Sequence, residues 1–168
     1  NVVEITSLNL VINLNILLFL SFLPLSIQVI QPFIILSYLI ILIFLYRKNL
    51  SLIFGFLKSF LPLILIFVLL SIHISSEIYL GWDAKYFYYI KSLYFHEGKT
   101  IFDLNKFEYS SWHPHFGSYL WGFFWSLSFL ESEYFGRLFY LFLFFYSFFV
   151  ISKISNNQSI NNIIFLLL

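Results

Sequence analysis

From position 5 to position 46 the chain carries no charged side chain. A run of that length is too long for one membrane crossing, which takes about 20 residues. Pro24, Gln28, Gln31 and Pro32 interrupt it near the middle. Two apolar helices, 7–23 and 30–46, joined as a tight hairpin, are therefore expected. Composition points the same way. Only 10% of residues are charged and 61% are apolar, with a mean hydropathy of +0.90. A soluble domain carries about 25% charged residues.

The pattern repeats further on. Arg47, Lys48 and Lys58 bracket a short connection. Apolar segments come next at 59–76, 114–130 and 138–152, and an incomplete one occupies 163–168. Glu131, Glu133 and Arg137 form a short turn between two of them, and SKISNNQSINN forms a polar turn before the last. The expected fold is all-α: a polytopic transmembrane helical protein, one membrane domain over 1–168. An amphipathic juxtamembrane helix lies in its first large extracytoplasmic loop, 77–113. The three cations between the second and third segments put that connection in the cytoplasm by the positive-inside rule. The loop then lies outside, and the expected location is a bacterial plasma membrane.

Methionine is absent even at position 1, and Leu166-Leu167-Leu168 ends the chain inside an apolar run. This reads as a piece truncated at both ends. Cysteine is also absent, which excludes a disulfide, a thiolate nucleophile and a cysteine-ligated metal. Net charge is +1 without a basic patch, so no nucleic-acid partner is expected.

More than half of the charge falls between residues 73 and 115. Glu77, Asp83, Glu97, Asp103 and Glu108 lie there with Lys85, Lys91, Lys99 and Lys106. All four histidines, His73, His96, His113 and His115, are there too. In WDAKYFYYIKSLYFHEG, Tyr86, Phe87, Ile90, Leu93 and Tyr94 fall on one helical face. Lys85, Tyr88, Tyr89, Ser92 and His96 fall on the other, with Lys91 at the edge of the apolar face. That is an interfacial amphipathic helix, which Gly98 ends. Two roles are open to Asp83. It can cap the helix by accepting hydrogen bonds from first-turn amides. It can also act as a general base, since a carboxylate held near apolar groups takes up a proton more readily. In SSWHPHFGSYLWGFFW, Pro114 fits a first helical turn with His113 at the cap. His113 and His115 are then either solvated imidazoles in an aromatic belt or an acid/base or phosphate-binding pair. Their spacing is poor for a metal.

The order of these pieces resembles the first large extracytoplasmic loop of the GT-C integral-membrane glycosyltransferases. An apolar segment leads to GWDA, an aromatic helix carrying Ile90-Lys91, a glycine, a variable stretch, and WHP before another segment. The nearest likeness is to bacterial protein-mannosyltransferase-like and aminoarabinose-transferase-like members. It covers about residues 78–125. The resemblance implies that Asp83 occupies the catalytic acid position and that Lys91, His113 and His115 contact phosphate. Many members carry a second acid directly after the first, where Ala84 stands here, and their loop usually comes after the first segment rather than the third. The implied activity is transfer of a sugar from a polyprenyl-phosphate donor to a lipid, glycan or protein acceptor at the membrane surface, with the lipid bilayer itself as a partner. No cofactor is implied with certainty, and the need for a divalent metal stays open. Two other classes fit the composition: another polysaccharide-handling membrane protein, such as a polymerase or flippase, and a non-catalytic membrane subunit.

Overall fold

The computed structural model describes residues 2–48, 54, 58, 61, 64–69, 71–73, 79–106, 114–128 and 132–154. The described residues are helical, without a strand. Helix α1 is Val2–Ser21 and α2 is Ile27–Lys48. A π-helical segment, Ala84–Tyr89, runs straight into α3, Ile90–His96. A 3-10 turn, Ile101–Lys106, comes next, then α4, Phe116–Ser126, and α5, Tyr134–Ile154. The incomplete segment 163–168 and His113 lie outside the described residues.

One of these helices, over Tyr134–Ile151 within α5, is long and apolar enough to cross a membrane. The apolar stretches Ser7–Ser21 and Ile27–Ile40 of α1 and α2 are shorter. The hairpin between α1 and α2 is tighter than Gln28, Gln31 and Pro32 suggest. Phe22 and Leu23 close the end of α1 through bonds to Phe19 O and Leu20 O, and α2 starts at Ile27. Pro32 therefore sits inside α2. It has no N–H to offer the Gln28 carbonyl one turn back.

Segment 114–130 is also shorter than expected. Helix α4 has eleven residues, about 16 Å of rise, well short of a bilayer core. Its end tightens, because Leu127 N and Ser128 N bond Phe124 O and Trp125 O. Helix α5 starts early. Arg137 lies within it and not in a turn, with Nε 3.1 Å from Glu133 Oε1.

The core joins Leu17 of α1, Ile27 of α2, Phe95 of α3, Leu104, Tyr119, Leu120 and Phe123 of α4, and Phe139 of α5. Ser7 Oγ meets Tyr146 Oη at 3.0 Å while Leu17 shares the core with Phe139, so α1 and α5 run antiparallel. Helices α3 and α4 touch backbone to side chain. A Cβ on Gly122 would come within 2.7 Å of Ser92 O and 3.1 Å of Phe95 Cβ. Glycine is what permits this approach.

Candidate functional site

Asp83 opens the site. It is helical itself, at φ −63° and ψ −43°, and its side chain makes no capping hydrogen bond. Asp83 is exposed, so it is not held among apolar groups as the base role in the sequence supposed. An N-cap residue has non-helical backbone angles, so the capping role does not describe it. Trp82 and Tyr86 beside it are exposed as well.

The helix then turns over. Lys91, Ser92 and Phe95 are its buried residues, whereas the 3.6-residue wheel puts Ser92 on the outer face. Two causes combine. The six residues Ala84–Tyr89 are wound as a π-helix, whose i→i+5 bonding shifts the register of the residues after it. Gly122 then draws the Ser92 side of α3 against α4. Ser92 Oγ and Ser118 Oγ both donate to Tyr88 O, at 2.7 and 3.0 Å. The expected end of the helix is observed. Gly98 has φ +88°, with Gly98 N on Phe95 O and Lys99 N on Tyr94 O, both at 3.1 Å. A left-handed residue past the last turn is the usual helix stop. Gln28 Nε2 from α2 donates to His96 O, one of the carbonyls that a helix end leaves without an internal partner.

Lys91 is fully enclosed, and burial lowers its amine below the ordinary lysine range. His115, just ahead of α4, is lowered by burial and by the positive charge of Lys91. The structure thus brings Lys91 and His115 into one electrostatic unit, with Asp83 at the opposite end of the helical run. His115 stands at the cap position that the sequence suggests for His113, and it makes no capping hydrogen bond.

The tautomer of His115 is set by its partner. Ser21 Oγ donates to Leu18 O at 2.6 Å, which uses its one proton. His115 Nε2, 3.1 Å from Ser21 Oγ, is therefore the donor of that pair. Nδ1 is left as the basic nitrogen. The same logic holds for His96. Ser126 Oγ donates to Gly122 O at 2.9 Å, so His96 Nδ1, at 3.0 Å, donates to Ser126 Oγ. The His96 ring stacks flat on Trp125, 4.3 Å away at 7°.

The sequence reading missed Ser21, Ser118, Gly122 and Ser126. A signal for three of them exists: small residues at 118, 122 and 126 recur every fourth position, the spacing that lets helices approach closely. Among the described residues, no group of three or more His, Cys, Asp or Glu side chains could hold a metal. An apolar cavity of about 250 Å³ lies among α1, α2, α4 and α5, lined by Leu10, Leu14, Ile34, Phe123 and Phe139, with Asn13 and Tyr38 at its wall.

No family model, curated protein or solved structure matches this chain.

Proposed function

We propose that the chain is the catalytic-loop part of a polytopic membrane glycosyltransferase of the GT-C type. It moves a sugar from a polyprenyl-phosphate donor to a lipid, glycan or protein acceptor. In this reading α1, α2 and segment 59–76 are crossings beside α5. Asp83 is the base. The acceptor hydroxyl oxygen attacks the anomeric carbon and gives its proton to Asp83. The bond from that carbon to the phosphate oxygen breaks, and polyprenyl phosphate leaves with the electron pair. A positioned base of this kind contributes roughly 10²–10⁴-fold to rate.

The observation that carries the reading is the state of Asp83, an exposed carboxylate without a capping bond at the head of a helix. A carboxylate already engaged by first-turn amides would be a poor base. The apolar cavity suits a segment of isoprenoid chain. The enclosure of Lys91 changes its expected part. It supports departing negative charge through its field and not by contact. In this reading His113 is a phosphate contact.

Sidedness tests the reading. These 168 residues hold no cysteine, so Ser110→Cys and Ser51→Cys each add a single reporter within them, read against the unsubstituted protein in intact cells treated with a membrane-impermeant maleimide. Labelling at Ser110→Cys alone is expected. Labelling at Ser51→Cys alone would put Asp83 on the cytoplasmic side, away from outward-facing lipid-linked sugars, and sink the proposal.

A further inference from the structure

Trp82 is held in place and yet left open. Its side chain is 64% exposed, with Tyr79 at 85% and Tyr86 at 45% beside it. An exposed indole presents a large apolar area that no other part of the described chain covers. Its ring is braced all the same. Phe87 meets it edge-on at 5.2 Å and 80°, and Tyr86 lies 5.4 Å away, tilted at 44°. Residues 82 and 87 would point about 140° apart on an α-helix. The π segment Ala84–Tyr89 brings them together, because its i→i+5 bonding puts fifth neighbours on one face. The irregular winding thus fixes the orientation of an open aromatic plate.

Charged groups stand at the edge of that plate. Asp83 is exposed directly after it, and Lys85 Nζ lies over the Tyr86 ring at 5.6 Å. Among the described residues, a Cβ at Gly81 would meet nothing within 4 Å. A ligand for this surface needs a flat C–H face for the indole and hydroxyl groups for the carboxylate at its rim. A pyranose ring has both. A lipid headgroup phosphate lacks the flat C–H face.

We propose that Trp82 is the stacking plate for a pyranose acceptor, seated with one hydroxyl towards Asp83. This narrows the acceptor to a saccharide. It rests on the transferase reading for the role of Asp83, whereas the stacking itself needs no donor and can be measured separately.

The test is saturation-transfer-difference NMR on the full-length protein in lipid nanodiscs. Methyl β-D-glucopyranoside and methyl α-D-mannopyranoside serve as probes, without any donor present. Saturation of C–H protons on one ring face is expected for at least one probe. Trp82→Leu should abolish it, Trp82→Phe should restore part of it, and Asp83→Asn should weaken it while leaving the same face in contact. Thermal unfolding of Trp82→Leu should match the parent, because the ring is exposed. No transfer to either probe, or equal transfer in Trp82→Leu, would overturn the proposal. Quenching of Trp82 by headgroup-brominated lipid in place of sugar contact would assign the plate to the membrane surface and also overturn it. Ring contact in a protein that transfers no sugar would refute the transferase reading alone. Asp83-dependent transfer without ring contact at Trp82 would refute the stacking alone.

Discussion

The two ends of the helical run from Trp82 to His96 are built on opposite rules. At its head, Trp82, Asp83 and Tyr86 face outward, and Gly81 has open space around it. At its tail, Lys91 and Ser92 are fully buried, and His96 lies between Trp125 and Ser126. Large aromatic groups are exposed at one end, and polar groups are enclosed at the other. The head can therefore change its chemistry at little cost to the fold. The tail is committed to α4 and holds the head in position.

Substitutions can break this contrast, and the largest effects should come from the packed side. A methyl group at Gly136 would meet Trp121 Cδ1 at 2.0 Å and Trp121 O at 2.6 Å. Overpacking typically costs 1–3 kcal/mol, and here backbone is among the obstacles, so Gly136→Ala should lose about 3 kcal/mol. Gly122→Ala, against Ser92 O, should lose about 2 kcal/mol by the same argument. Thermal unfolding in detergent measures both, and unchanged melting would show that α3, α4 and α5 are not packed this closely. Next comes Ser126→Ala, which removes the hydrogen bond between His96 Nδ1 and Ser126 Oγ and should cost about 1 kcal/mol.

The dependence on pH is smaller and has a definite sign. His115 in the fold holds its proton less readily than the ordinary imidazole value of 6.5. Above 6.5 neither the folded nor the unfolded chain is protonated there. As pH falls below 6.5 the unfolded chain takes up the proton first, so stability declines until folded His115 titrates too. Melting curves should show this slope, and His115→Gln should flatten it. Smallest of all, Gly81→Ala at the open head should change stability by no more than about 0.5 kcal/mol. A large loss there would remove the contrast between the two ends.

Some of this was legible in the sequence. The all-helical class, the stop at Gly98 and the exposed position of Lys85 come from patterning and turn chemistry. The buried face of α3 did not, because a helical wheel assumes 3.6 residues per turn and Ala84–Tyr89 are wound otherwise. The enclosure of Lys91 was hidden for a similar reason: its place at the edge of a wheel gives no sign of the helix that covers it. The Ser21–His115 pair joins residues 94 positions apart, which no local pattern encodes. The stripe of Ser118, Gly122 and Ser126 was readable, but it was masked by the aromatic residues around it.

In the proposed function Asp83 does the chemistry and carries little of the fold. Asp83→Asn in the full-length protein, assayed for sugar transfer from a polyprenyl-phosphate donor alongside its melting temperature, tests this most directly. Transfer is expected to fall by roughly 10²-fold or more, while melting is unchanged. Retained transfer, or a protein that loses transfer only because it unfolds, would contradict it.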